Sequence, residues 1–174
     1  MLRLAVVVAL GLGAAAPARA QDLPAQAQRG RELFLNSPKG VACAACHQIK
    51  DIGTPAGPDL RTLASAAVPK GLVTAIQMTM TEYVREYKVK GVGSFPAMKA
   101  GEEGDLVLLY DLTGNKAELK KVAKSAIDEV KPNTKWKHPP TSASYNNQEL
   151  ADLIGFLRFA ATGSRTEVKP DDLK

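Results

Sequence analysis

The chain has 174 residues and a formal charge of +5 at pH 7, a size that fits one domain of ordinary dimensions and a charge excess too mild to argue for nucleic acid. Its two cysteines and two histidines leave few ways to assign redox or metal chemistry. In chain order, Met1-Leu2-Arg3 carries one positive charge and runs into an almost unbroken apolar segment from Leu4 to Ala16. Pro17 and then Ala18-Arg19-Ala20, a small-x-small cleavage pattern, follow. Residues 1–20 are therefore expected to be a signal peptide cut after Ala20, which directs the protein to the periplasm. Cleavage removes Arg3 and Arg19 and no acid, so the positive charge falls by two. No later segment approaches a run of ~18 apolar residues, so no membrane span is expected after cleavage.

Pro24 to Asn36 reads as a helix, closed by Asn36-Ser37-Pro38-Lys39-Gly40. Ile52 to Leu60 is punctuated by Gly and Pro and reads as a loop, and Leu60 to Ala67 as a short helix after it. Leu72, Ile76 and Met80 recur every four residues, as on one face of a helix. From about Glu82 the pattern changes. Tyr83, Tyr87 and Val89, and later Leu106, Leu108, Tyr110 and Leu112, alternate with other residues as in strands, and Gly91, Gly93, Gly101, Gly104 and Thr113-Gly114-Asn115 signal turns. Ala117 to Val130 fits a helix by the spacing of Leu119, Val122, Ala123, Ile127 and Val130 alone, and stays ambiguous. Leu150, Leu153, Ile154 and Leu157 follow the i, i+3, i+4, i+7 pattern after a capping stretch at Asn146 to Glu149, which predicts a helix. Residues 163–174 are polar and charged and are expected to be a disordered tail.

The chemistry lies in Cys43-Ala44-Ala45-Cys46-His47. In C-x-x-C-H, two thiols add to the vinyl groups of haem and the adjacent imidazole becomes an iron ligand, so five residues supply three bonds to one cofactor. A thioredoxin-like dithiol shares the spacing but follows a strand in a βαβ unit, a pattern absent here. A zinc site needs two more ligands, and the chain has no other Cys.

The chain resembles the class I cytochrome c family. The features that carry the resemblance are Gly30-x-x-x-Phe34, Cys43 to His47, Gly57-Pro58-Asp59-Leu60, and the closing segment from Glu149 through Phe156 to Arg158. The resemblance implies a mainly α cytochrome c fold over residues 21–162 carrying one covalent haem c. It implies that the Pro58 carbonyl accepts the outer proton of the His47 imidazole, that Leu60 beside it contacts haem, and that Gly30 and Phe156 sit where the first and last helices cross.

The family supplies the sixth iron ligand as Met, commonly in Met-Pro-Pro shortly before the last helix. At that position this chain reads His138-Pro139-Pro140. Adjacent prolines restrict the backbone and place the preceding side chain, so His138 is the expected distal ligand. Met98, in Phe95-Pro96-Ala97-Met98, is the alternative. A second imidazole lacks the potential-raising effect of Met.

With His138 in that role, residues 82–132 become a small β-meander inserted into the domain. This resembles a subgroup of bacterial haem-binding domains that accompany or are fused to secreted dehydrogenases, and it turns Ala117 to Val130 partly into strand. The insertion reads either as a docking surface or as a lid on one haem edge. Lys135-Trp136-Lys137 adds an indole beside His138, a candidate donor to a haem propionate, and two cations able to steer an acidic partner. The function implied is single-electron transfer by a carrier and not an enzyme, between a periplasmic redox partner such as a dehydrogenase and a downstream acceptor. The competing reading is a gas sensor or peroxidase-like enzyme with a displaceable sixth ligand, for which Arg85 and Lys99 are the candidate distal polar groups.

Overall fold

The computed structural model describes residues 23–78 and 81–174, of which 38% are helical and 25% in strands. The signal peptide expected over 1–20, with its cleavage after Ala20, and Met80 lie outside the described residues. The helices are α1 (Ala25–Leu35), α2 (Leu60–Ala66), α3 (Pro69–Gln77) and α4 (Asn147–Thr162).

α4 is the centre of the helical unit. Asn146 and Glu149 close a capping box at its start and Gly163, at φ 76°, ends it in the left-handed conformation. Leu150 through Leu157 are all buried, so the helix is surrounded by protein on every side instead of showing one apolar stripe. α1 crosses it at Gly30. A Cβ there would run into the Asp152 carbonyl, so only glycine lets the two backbones touch. Phe34 packs against Phe156 with ring centroids 5.5 Å apart. Arg29 holds the buried Asp152 carboxylate with two hydrogen bonds of 2.7 and 2.9 Å, satisfying a charge that would be costly alone.

The stretch after Gly163, expected to be a disordered tail, is ordered. Val168 is buried, and its backbone pairs with the Gln26 side-chain amide in both directions, at 2.7 and 2.9 Å. Pro170–Leu173 then forms a 3₁₀ turn against α3 and α4. One apolar side chain and one buried amide outweigh the polar composition that suggested disorder.

The expectation of a mainly α fold is also overturned. The insertion is a five-stranded antiparallel sheet of β3 (Arg85–Val89), β4 (Gly93–Glu103), β5 (Leu106–Asp111), β6 (Glu118–Ala123) and β7 (Ile127–Pro132), in the order β6-β5-β4-β3-β7. β1 (Gln48–Ile49) and β2 (Ile52–Gly53) form a separate small hairpin. Strands β3 to β6 do follow a meander, but β7 returns to pair with β3, with Arg85 opposite Pro132, so the segment leaves and rejoins the helical unit at one neck.

β6 and β7 lie on opposite edges of the sheet yet only the 3₁₀ turn Lys124–Ala126 joins them. Four flat strand spacings span about 19 Å, further than a link of that length reaches in a 3₁₀ conformation. The sheet is therefore coiled into a partly closed barrel, with a register shift between Lys99 and Gly101 bending β4. Tyr87, Val89, Phe95, Ala97, Val107 and Leu109 fill it, a core separate from that of the helices. Ala117 to Val130 is strand, turn and strand because pairing with β5 and β3 overrides the helical spacing. Leu119 and Val130 are about half exposed, so these apolar positions never formed one buried stripe.

Candidate functional site

The two thiols and the first imidazole come from a tight turn. Cys43–Ala45 is a 3₁₀ turn and the His47 backbone N–H donates to the Cys43 carbonyl at 2.8 Å, which puts Cys43, Cys46 and His47 on one wall. Gly53, at φ 102°, lets the β1–β2 hairpin lie against the His47 carbonyl where any Cβ would collide.

The following loop is stitched to the motif. Ala56 and Gly57 backbone N–H groups both donate to the Cys46 carbonyl. Gly57 passes so close to the His47 ring that a Cβ would stand 2.7 Å from Cε1. The loop delivers the Pro58 carbonyl to His47 Nδ1 at 2.9 Å, and Asp59 then caps α2 by accepting from the Arg61 backbone N–H at 2.7 Å. Burial pushes the His47 imidazole below its ordinary pKa, against the Pro58 bond and with help from the nearby His138 ring. Because a carbonyl can only accept, Nδ1 carries the proton and donates it to Pro58, and in the neutral ring this leaves Nε2 with its lone pair free. Burial also raises both thiols, Cys43 to about 11.

The opposite wall comes from the segment after β7. Trp136 donates its indole N–H to the Leu112 carbonyl at 3.2 Å. The donor expected to meet a haem propionate is therefore spent on the sheet. His138 Nδ1 lies 2.9 Å from the Pro139 carbonyl, so its Nε2 is likewise the ring nitrogen left over. Beyond the prolines, Thr141 donates its hydroxyl to the Val41 carbonyl at 2.8 Å and the Tyr145 hydroxyl donates to Ser37 at 2.7 Å, which pins the loop to the chain just before Cys43.

Between the walls lies a cavity of about 410 Å³. Cys43, Cys46, His47, Pro58, Leu60, Met98, Trp136 and His138 all line it. The His47 and His138 rings stand 5.9 Å apart, centroid to centroid. Met98, on β4 opposite Tyr110, packs with Trp136 and Cys46 in the apolar cluster between sheet and motif. Arg85 and Lys99 are not among the lining residues; Lys99 is paired with Glu102.

Gly57, read in the sequence only as part of Gly57-Pro58-Asp59-Leu60, is needed for the approach to His47. Three further contributors went unread in the sequence. The Leu112 carbonyl and the Ala117 N–H, which donates to Ala45 at 3.0 Å, act through backbone atoms that carry no residue signature. Asn133 accepts from the Lys135 and Trp136 N–H groups at 3.0 and 2.6 Å; an Asn directly after Pro132 is a turn signal that would have found it.

A family model described as Cytochrome c matches residues 27–100, from α1 into β4. No curated protein matches the chain. A cytochrome c domain implies covalently bound haem c, and the residues present fit it: two thiols on one turn, two imidazoles with their outer nitrogens already engaged, and largely apolar walls.

Proposed function

We propose that this chain is a class I cytochrome c, a haem-binding electron carrier of the periplasm with one haem c held between His47 and His138; the family match over residues 27–100 and the anchoring geometry support the reading. The observation that carries this reading is the pair of imidazoles facing each other across the cavity at 5.9 Å. Each has its Nδ1 engaged by a proline carbonyl.

When bound, haem supplies the iron that gains and loses one electron. The chain's own residues do the rest. Cys43 and Cys46 would hold the group covalently, and the Pro58 carbonyl fixes the tautomer and orientation of His47 and raises its basicity. His138 would hold it from the opposite wall. Leu60, Met98 and the Trp136 ring exclude water from the cavity, which lowers the local dielectric and so tunes the potential. With His47 and His138 both available to hold the metal, the bound group would pass electrons without a substrate binding at it. Lys135 and Lys137 flank the distal loop and suit an acidic redox partner, with a periplasmic dehydrogenase as the candidate donor.

The test is carbon monoxide. The reduced wild-type protein is expected to resist it, and His138→Ala to bind it at once. Rapid binding by the wild type would favour the reading in which the sixth ligand is displaceable and the protein senses or activates a small molecule.

A further inference from the structure

The insertion does more than cover one side of the cavity. The loop between β5 and β6, from Leu112 to Ala117, touches both walls. At one end the Leu112 carbonyl accepts the Trp136 indole N–H. At the other the Ala117 N–H donates to Ala45, inside the Cys43 to His47 turn. Both end residues are buried, at 5% and 4% exposure. The base of the loop is stiffened by Asp111, which accepts from the Thr113 N–H at 2.8 Å and pairs with Lys120. Asn133 ties the other end of the ligand loop to the sheet, since its side-chain amide donates to Glu86 at 2.6 Å while its oxygen holds Lys135 and Trp136. The Trp136 ring then stands edge-on to His138, centroids 6.2 Å apart and planes at 84°.

We infer that the sheet is a brace which sets the distal imidazole against the proximal motif, with Trp136 and Asn133 as the positioning residues that fix the place and plane of the His138 ring. This rests on the reading of His138 as the distal ligand. A hydrogen bond from a single indole to a buried carbonyl and a turn closed by one Asn define the backbone two residues ahead of the imidazole, where the two prolines behind it define the other side. A ring so held keeps one orientation relative to His47. A ring released from it samples several and leaves the position open part of the time.

Trp136→Phe is the variant that tests this, because it keeps an aromatic wall and removes the donor. The holoprotein is compared with wild type and with Val89→Ala, which damages the sheet's core away from the cavity. Trp136→Phe is expected to retain covalent haem and the far-ultraviolet spectrum of the wild type. Its ferric EPR signal should shift or split, its midpoint potential should move, and a fraction of the reduced protein should react rapidly with carbon monoxide. Val89→Ala should lower the melting temperature and leave those three readouts where they were. Spectra, potential and carbon monoxide resistance identical to wild type in Trp136→Phe would overturn the inference, as would equal changes in Val89→Ala. Should Trp136→Phe not accumulate, Asn133→Ala takes its place, and exchange of the one indole N–H in the wild type gives an independent answer: strong protection supports the brace and free-indole exchange sinks it. An iron–methionine band in the wild type would refute the ligand reading itself, before any variant is made.

Discussion

The helical unit and the sheet solve the same packing problem in different ways. The helical unit is compact around α4, with Gly30 pressed against the Asp152 backbone and Phe34 against Phe156, and it carries Cys43, Cys46 and His47. The sheet fills its own barrel and meets the rest through a small third cluster around Ala56, Val84, Leu112 and Ala117. On the proposed reading the first half fixes the cofactor covalently and the second contributes the hydrogen bonds that aim His138. The two should therefore fail separately.

The largest break is expected from Gly30→Val. The added side chain meets backbone, which cannot give way as a side-chain tip can, and the cost is about 4 kcal/mol. Denaturant unfolding of the holoprotein measures it, and a loss below about 1 kcal/mol would mean that α1 and α4 do not cross as described. Leu109→Ala, in the sheet's core, is expected to cost about 3 kcal/mol. Its consequence differs in kind: haem stays attached through both cysteines, the ferric spectrum below the melting transition stays that of the wild type, and a high-spin component appears only as the sheet unfolds. A spectrum that stayed low-spin after the sheet had melted would separate the sheet from the distal ligand.

These contrasts also mark how far the sequence could be read. The proximal side was legible because it is local. Cys43 to His47 and Gly57 to Leu60 place every atom they need within a few residues, and Gly30, Phe34 and Phe156 lie on helices whose periodicity is plain. The place of His138 in the cavity was legible through its two prolines. The balance of helix and strand was not, since Leu119, Val122, Ile127 and Val130 satisfy a helical period and only pairing with β5 and β3 decides otherwise. The C-terminal stretch misled for the opposite reason: polar composition hid one buried Val168 that finds the Gln26 amide across the chain.

Truncation after Gly163 sharpens that last point. Removing Val168 and leaving Gln26 unpartnered should cost about 2 kcal/mol, read as a lowered melting temperature with the haem spectrum unchanged. The smallest effect is expected at the base of the β5–β6 loop. Burial pushes the Asp111 carboxyl up, but the Lys120 ammonium and the Thr113 donors more than offset this and hold it below the ordinary carboxylate range. A group with a lowered folded pKa stabilises the fold above its unfolded value, about 3.9, and loses that contribution as the pH falls through the folded one. Asp111→Asn should therefore cost about 1 kcal/mol at neutral pH and nothing in strong acid. A cost that persists unchanged in acid would assign the effect to shape and not to charge.

The central claim is that two imidazoles, His47 and His138, hold the metal between them. The ferric absorption and EPR spectra of the purified holoprotein test it most directly. The account predicts a fully low-spin, six-coordinate form with no iron–methionine charge-transfer band, and loss of that form in His138→Ala with Met98 intact. A charge-transfer band in the wild type, abolished by Met98→Ala and untouched by His138→Ala, would contradict it.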